Sequence, residues 1–168
     1  MKFSTRARYG LRMMVELARA NSGDQLTHLG KIARITALSE NYLAQLAMSL
    51  KGAGLLIGVS GKNGGYRLAQ PADRIKVSDV VTALIGPIGL TECITHPDIC
   101  LASCFCETRL VWALVNHRVN QTLEEFTLAD LIDKGWANRV RVEYQAVPYM
   151  NPDDVMRDKD DISPQGCP

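Results

Sequence analysis

The sequence predicts a mainly α-helical fold with one small β-hairpin, followed by a long helix. Apolar residues recur at intervals of three and four in three stretches between residues 3 and 51, and again over residues 107–122. Between these regions, residues 55–59 and 66–68 read as two short strands around the glycine-rich turn 60–65. We therefore expect helices, a hairpin and then a long helix, in that order.

The charge of the chain is unevenly distributed. Its 168 residues carry a formal net charge of +1. Residues 1–70 hold ten Lys or Arg against three acids (+7), whereas residues 71–168 hold nine against fifteen (−6). A basic front half suggests a surface that faces a polyanion, although an ordinary solvated surface would give the same totals.

Several classes of protein do not fit the sequence. It has no apolar run of roughly eighteen residues and its start lacks the apolar segment of a signal peptide, so we expect a cytoplasmic protein with no membrane partner. We find no Ser-His-Asp order, no phosphate loop and no H-E-x-x-H motif, and we therefore expect no enzyme.

The first half of the chain predicts three helices with a tight break before the third. Residues 3–18 form an amphipathic helix, and Thr27 is a candidate N-cap for a short second one. After the break at residues 36–38, Ser39 can cap a third helix over residues 40–51. This is the helix-turn-helix pattern, in which the start of the last helix meets base edges in the DNA major groove.

The predicted hairpin directly after these helices would be a wing that lies along the DNA backbone or minor groove. Its glycines permit close approach of the backbone, and Asn, Gln and Ser on the third helix suit base edges. Polar residues at a helix start are also simply good caps, and a glycine-rich hairpin can be ordinary. The candidate DNA-binding residues are Arg8, Ser39, Glu40, Asn41, Tyr42, Gln45, Lys51, Ser60, Lys62, Asn63, Gly64, Tyr66 and Arg67.

The second half predicts a short helix over residues 77–84, capped by Ser78, and the long helix from residue 107. The long helix is apolar on two sides, which favours one side for its own domain and one for a partner copy; a central core helix is the alternative. The predicted divisions are a winged helix-turn-helix domain (1–86), a cysteine-rich loop (87–106), a dimerisation helix with a short following helix (107–137) and a mobile extension (138–168).

Four of the five cysteines, Cys93, Cys100, Cys104 and Cys106, follow the pattern C-x6-C-x3-C-x-C. Thiolate sulfur is a soft ligand for iron–sulfur clusters, zinc or Cu(I). Zinc sites usually show C-x2–4-C pairs, which this spacing matches poorly. The pattern favours an iron–sulfur cluster, with redox thiols, a zinc site or no ligand as alternatives.

Residues 1–137 resemble the IscR/NsrR/CymR-like winged-helix regulators. The resemblance rests on KFSTRARYGLR (2–12), SENYLAQL (39–46), LKGAGL (50–55), GGYRLA (64–69) and TLADL (127–131). It implies a dimeric, cytoplasmic bacterial transcription factor, often with an iron–sulfur cluster in the loop before the dimer helix. Two positions depart from relatives in this family: Ser60 replaces a common wing arginine, and Ala44 stands where the recognition helix of one relative has a glutamate.

The resemblance also implies three cluster ligands, Cys93, Cys100 and Cys106. The family's fourth ligand would fall at Arg109 or at Arg8, and neither can serve. Cys104 is the simplest replacement, so either a 2Fe-2S or a 4Fe-4S cluster is possible. Local alternatives for the fourth ligand are His96, Asp98 and Glu107, and His28 could serve only if the fold brings it near the cysteines.

The sequence thus predicts a homodimeric transcriptional regulator that binds double-stranded DNA with an affinity tuned by an iron–sulfur cluster. The first alternative is a cluster-free winged-helix repressor that senses a metabolite or a partner protein. The alternative from another class is an iron–sulfur carrier or electron-transfer protein.

Overall fold

A computed structural model describes residues 4–20, 25–61, 63–100, 106–136 and 140 of the chain. These residues form seven α-helices, one two-stranded antiparallel sheet and two 3-10 turns, which confirms the predicted fold class. In chain order the elements are α1 (Thr5–Ala20), α2 (Leu29–Thr36), α3 (Glu40–Gly52), β1 (Leu56–Val59), β2 (Gly65–Leu68), the turn Ala72–Arg74, α4 (Val77–Ile85), α5 (Glu92–Thr95), the turn Pro97–Ile99, α6 (Glu107–Glu125) and α7 (Leu128–Ile132).

The break between α2 and α3 and the cap of α3 are as the sequence predicts. Ala37 takes the left-handed conformation (φ 56°), which stops α2. The Ser39 hydroxyl then accepts a hydrogen bond from the backbone N–H of Tyr42 at 3.3 Å. These two local features set the angle at which α3 leaves α2.

Two predicted caps are wrong. Thr27 does not cap α2, because it is buried and its backbone pairs with Tyr66 of β2 through two N–H···O bonds of 2.9 Å. Ser78 lies inside α4, whose first turn is closed instead by Asp79, because its Oδ2 accepts a hydrogen bond from the backbone N–H of Lys76 at 3.0 Å. At α4 the N-cap Lys76 pairs with the distant Thr127, and at α2 the paired residue Thr27 comes directly before the N-cap His28.

The hairpin is fastened to the helices by this Thr27–Tyr66 bridge. Its register pairs Leu56 with Leu68 and Gly58 with Tyr66. Gly58 leaves room for the Tyr66 ring, since a Cβ on Gly58 would lie 2.9 Å from Cε1 of that ring. The wing is therefore held on the body of the domain rather than projecting from it freely.

The core is built around α1. The side chains that are fully buried come from α1, α2, α3, α4 and α7 and from the segment before α4, and the largest of them are Met13, Met14, Leu17, Ile32, Leu43, Leu46, Leu50, Ile75, Val80 and Leu128. The last helix thus returns to the front half of the chain. Leu128 N–H donates to the Ile75 carbonyl (2.9 Å), and Thr127 with Asp130 forms the predicted capping box at the start of α7.

Helix α6 packs against α4 and α5, and much of its remaining surface is apolar. Leu110 is 71% exposed and Leu114 57% exposed, and Val111, Trp112 and Val115 are also open to solvent. Both apolar stripes that the sequence predicts are therefore open over residues 110–115, so the expectation that one of them packs on its own domain is wrong. The side of α6 that contacts the rest of the chain carries half-buried residues such as Ala113, Asn116 and Leu123. None of the described helices is both long and apolar enough to cross a bilayer.

The region expected to be an irregular cysteine loop holds α5 and the Pro97–Ile99 turn. The predicted extension over residues 138–168 lies outside the described residues, apart from residue 140. The division of the chain into four segments stays a prediction.

We expect Gly64→Ala to lower the free energy of unfolding by about 1–3 kcal/mol, because this change overpacks the turn of the wing. A Cβ on Gly64 would lie 2.2 Å from the Val59 carbonyl oxygen, and a backbone atom cannot move aside as a side chain can. Chemical denaturation measures the change.

The matched control is Gly52→Ala at the end of α3, where a Cβ would meet nothing within 4 Å. That variant should be neutral or slightly more stable. Equal stability of the Gly64 and Gly52 variants would contradict the steric argument.

Candidate DNA-binding surface and cysteine segment

Helix α3 presents a polar side to solvent and an apolar side to the core. Leu43, Leu46, Ala47 and Leu50 are buried. Asn41, Gln45 and Met48 are exposed on the opposite side, with Glu40 and Lys51 exposed towards its two ends. Of the predicted residues on α3, Asn41 and Gln45 are thus free to meet another molecule, whereas Ser39 also serves as the cap.

An aromatic stack links the first turn of α3 to α1. The rings of Tyr9 and Tyr42 meet edge to face with centroids 6.1 Å apart. The Arg8 guanidinium carbon lies 4.8 Å from the centre of the Tyr9 ring, in cation–π contact. This stack holds the exposed Arg8 near the start of α3, and Tyr42, being half-buried, supports the helix.

Arg6 belongs to this surface, although it is not among the DNA-binding candidates that the sequence predicts. Its Nη2 donates to Ser49 Oγ at 2.6 Å, which ties the start of α1 to the last turn of α3. The basic run of α1 already pointed to this stretch, but nothing in the sequence pairs residues 43 positions apart. Arg6 and Arg8 thus place two guanidinium groups along α3.

The wing divides the remaining candidates into exposed and supporting residues. Ser60 and Asn63 are exposed at its tip, and Lys62 lies outside the described residues. Gly64 is buried, and Tyr66 and Arg67 are half-buried. We infer that Gly64 and Tyr66 shape the wing, while the tip offers the accessible polar groups.

The stretch from the start of α5 to the residue before α6, residues 92–106, is the cysteine segment, and three of its thiols lie on described residues. Cys93 lies in α5, Cys100 follows the Pro97–Ile99 turn and Cys106 directly precedes α6. All three are half-buried and none of them forms a disulfide. Cys104 lies outside the described residues. Among the described residues, no three His, Cys, Asp or Glu side chains come together as a metal site would require.

Threonine hydroxyls accompany two of these thiols. Cys93 Sγ lies 3.2 Å from Thr91 Oγ1, and Cys106 Sγ lies 3.1 Å from Thr108 Oγ1. The hydrogen bond from Thr108, assisted by the backbone N–H of Arg109, lowers the pKa of Cys106. Because the thiolate is the metal ligand and the nucleophile, this environment suits either cluster binding or redox chemistry.

Arg109 bridges the two ends of the cysteine segment. Its Nε donates to the Cys93 carbonyl at 3.0 Å, and its backbone N–H donates to the Cys106 carbonyl at 3.1 Å. Arg109 occupies a position where the resemblance would place a ligand. Here the side chain binds the backbone of the segment to the first turn of α6.

Of the alternatives for a fourth ligand, none joins the described thiols in a group of three metal-ligating side chains. His96 and Asp98 are exposed, and the His96 ring is 3.1 Å from the hydroxyl of Thr95. Glu107 is exposed at the start of α6, and His28 is exposed directly before α2, far from the cysteines in the sequence.

Comparison with known proteins decides the family. Residues 3–134 match the Rrf2 family of iron-dependent transcriptional regulators. The chain belongs to the Rrf2 family. It is 37% identical over 131 residues to the HTH-type transcriptional regulator CymR of Bacillus subtilis, which covers 78% of this chain and 89% of CymR. It is also 37% identical over 132 residues to the protein rrf2 of Nitratidesulfovibrio vulgaris (79% of this chain and 87% of the relative).

Solved Rrf2-family structures share the fold. The structure of B. subtilis CymR, described as the global cysteine regulator, superposes with a TM-score of 0.65 at 36% identity and covers 79% of this chain and 96% of CymR. The structure of T. potens IscR gives a TM-score of 0.63 at 31% identity and covers 90% of this chain and 93% of IscR. The resemblance stated from the sequence is therefore confirmed, and the chain is an Rrf2-type winged-helix transcriptional regulator.

Proposed function

We propose that this Rrf2-family regulator binds DNA as a homodimer and that the state of its cysteine segment sets the affinity. Helix α3 would enter the major groove, the wing tip would follow the backbone, and α6 would pair the two copies. The observation that carries the sensing part is the Arg109 bridge, because it joins the cysteine segment to the helix that would form the dimer.

The charges and amides around α3 support DNA as the partner. The exposed side chains of Asn41 and Gln45 can each form two hydrogen bonds with an adenine edge. Arg8, Lys51 and the free N–H groups of Arg6 suit phosphates on either side of the groove. Base reading and phosphate binding would thus come from neighbouring residues of α1 and α3.

The uncovered side of α6 supports a second copy of this chain as its partner. Successive residues of an α-helix are turned by 100°, so one side of α6 carries four exposed apolar residues, Leu110, Val111, Leu114 and Val115. Monomeric proteins rarely leave a continuous apolar patch of this kind uncovered. A two-fold pair of α6 helices would bury it and present two α3 helices to the two half-sites of an operator.

The chemistry of the cysteine segment fits an iron–sulfur cluster. Cys93, Cys100 and Cys106 would hold it, with Cys104 as the expected fourth ligand; 2Fe-2S and 4Fe-4S forms both agree with this set. The lowered pKa of Cys106 favours the thiolate that such binding needs. When bound, the cluster supplies a centre that responds to oxidants and to nitric oxide.

The protein's own residues would carry the signal to DNA. Drawing the three thiols together requires movement of the segment between α5 and α6, which Arg109 couples to α6. At its other end α6 is tied to α4, because Val77 N–H donates to the Phe126 carbonyl at 2.9 Å. If the two α6 helices of the dimer change their orientation, the distance between the two α3 helices changes as well. Because the two half-sites of an operator lie about 34 Å apart, the affinity for DNA depends on that distance.

A cluster-free regulator is the second candidate, and two observations favour it. The described residues hold no assembled group of three metal-ligand side chains. One relative is a global cysteine regulator, and another solved structure is the oxidised form of Staphylococcus aureus CymR. In this alternative the half-buried thiols would be oxidised directly, or a metabolite would bind in the groove of about 550 Å³ between the end of α3, α4 and α6.

An iron–sulfur carrier or electron-transfer protein is less well supported. Such a protein needs no exposed recognition helix and no wing fastened to it. The named relatives with an assigned role are transcriptional regulators, and we propose no enzymatic activity.

The first prediction separates base contacts from phosphate contacts. Gln45→Ala should reduce discrimination at one base pair of each half-site by about 1–3 kcal/mol. Arg8→Ala should weaken binding to all DNA sequences alike, and it should reduce the slope of log affinity against log salt by about one for each phosphate that Arg8 binds. Fluorescence anisotropy over a salt series measures both.

The matched control for Arg8→Ala is Arg19→Ala, which removes the same charge about 16 Å further along α1. Arg19 is half-exposed and pairs with Glu16 at 3.0 Å. An equal reduction of affinity in the two arginine variants would mean that net charge, rather than a contact beside α3, governs binding.

The second prediction concerns the dimer. Leu114→Glu should convert the dimer to monomers, because burying an unpaired carboxylate in the α6 pair is strongly unfavourable. Sedimentation equilibrium measures the mass. Val59→Glu changes an apolar residue of the wing that is 48% exposed and should leave the mass unchanged. A monomeric wild type, or a dimeric Leu114→Glu variant, would contradict the α6 interface.

The third prediction concerns the cluster. Protein purified without oxygen should absorb visible light and contain iron and sulfide, whereas the double variant Cys93→Ala, Cys106→Ala should do neither. Cys104→Ala tests the expected fourth ligand, and Cys167→Ala, outside the four-cysteine pattern, is the control. Unchanged absorbance in the double variant would overturn the cluster. A colourless wild type that still binds DNA would favour the cluster-free regulator.

A further inference from the structure

We propose that Met48 reads the methyl group of a thymine in the major groove and so contributes to operator choice. This inference rests on the proposed function, since it takes α3 as the helix that enters the groove. Met48 is absent from the set of residues that the sequence singled out as DNA-binding.

The position of Met48 places it among the base-reading candidates. It lies three residues after Gln45 and seven after Asn41, so the three side chains share one side of α3. The rise of an α-helix separates Gln45 from Met48 by about 4.5 Å along the axis, close to the ~3.4 Å step between stacked base pairs. Met48 would therefore meet a base next to the one that Gln45 reads.

The exposure of Met48 is unusual for an apolar residue of this helix. The side chain is 73% exposed, whereas the buried apolar residues of α3 face the opposite way. Next to it, Ser49 accepts the hydrogen bond from Arg6, so a guanidinium group that suits a phosphate is close to the same turn. Met48 thus lies between amide side chains and a charge that suits a phosphate. An apolar side chain in this place adds to the free energy of binding only where it contacts an apolar group of the DNA.

The chemistry of base edges identifies that group. The C5-methyl of thymine is the apolar feature that a standard base pair presents in the major groove, beside donors and acceptors that thioether sulfur serves poorly. Methionine is unbranched, flexible and polarisable, so it can follow a methyl group into an irregular space.

The neighbours of Met48 leave it room to do this. Ala44, one turn earlier, has no side chain beyond Cβ. Gly52, one turn later, has nothing within 4 Å of where a Cβ would lie. This part of α3 can therefore approach the floor of the groove closely, with Met48 as its longest side chain.

The experiment removes the methyl group and the methionine separately. An operator is first selected from random-sequence DNA with the full-length protein. Each thymine is then replaced by deoxyuridine, which lacks only the methyl group, at symmetry-related positions of both half-sites. For one such position, wild-type affinity should fall about 3- to 10-fold per methyl removed.

Met48→Ala should bind the thymine and uracil duplexes equally, at about the affinity of wild type for the uracil duplex. Alanine keeps α3 intact, as circular dichroism and an unchanged salt slope would show. Met48→Leu should retain part of the discrimination because it remains apolar. Gln45→Ala should bind more weakly but discriminate thymine from uracil as wild type does.

Two results would overturn this inference without touching the proposed function. In the first, the wild-type protein binds its operator tightly and its affinity does not change when any thymine methyl is removed. In the second, Met48→Ala discriminates thymine from uracil as well as the wild type does. Absence of salt-dependent binding to any DNA would instead overturn the proposed function, and this inference with it.

Discussion

The burial of one side of α1 is the constraint on which the rest of the structure depends. Met13, Met14 and Leu17 are fully buried, and burying each of them stabilises the fold by about 2–3 kcal/mol. Helices α2, α3, α4 and α7 and strand β2 all pack against α1. Since this packing turns the apolar side of α3 inward, it also decides which residues of α3 face outward. The DNA-binding surface proposed on α3 is in this sense the reverse side of the core.

The same helix carries the groups that frame α3. Two turns of α1 supply Arg6, whose side chain binds Ser49, and Tyr9, whose ring meets Tyr42. One contact lies near each end of α3, so the helix is held at both ends by α1 as well as along its buried side. In the proposed complex, a recognition helix that is supported in this way would lose little conformational freedom on binding DNA. Its base-reading side chains would then change position only when the whole domain moves.

Helix α6 is held differently, and the contrast suggests how a signal would travel. Its last turn is fixed, because the following residues pair with the segment before α4 and Leu128 enters the core. Its first turn meets the cysteine segment through the side chain of Arg109, and its long apolar side is uncovered. In the proposed mechanism, a helix that is anchored at one end and bonded to the cysteine segment at the other would change its orientation when that segment changes. The dimer interface proposed on α6 lies between these two points, so a change at the cysteines would act on it directly.

Local signals in the sequence predicted much of the fold, and long-range pairing explains what they missed. The Ser39 cap, the Ala37 break, the glycine-rich turn and the Thr127–Asp130 box each depend on residues a few positions apart. The Thr27–Tyr66 bridge, the Arg6–Ser49 bond and the Arg109–Cys93 bond join residues that only the folded chain brings together. For the candidate site, cysteine spacing predicts the kind of ligand, because sulfur chemistry is local, but not whether the thiols converge.

The two family positions that this chain changes bear on how it would read DNA. One relative has a glutamate where Ala44 stands, and relatives commonly have a wing arginine where Ser60 stands, so both replacements remove a charge. A carboxylate in the groove accepts a hydrogen bond from cytosine, and an alanine cannot. With Ala44 small and Met48 exposed one turn further on, this side of α3 combines amides with apolar surface. Selectivity on such a surface would depend on adenine edges and thymine methyls more than on charged contacts, which favours A·T pairs at the positions that α3 reads.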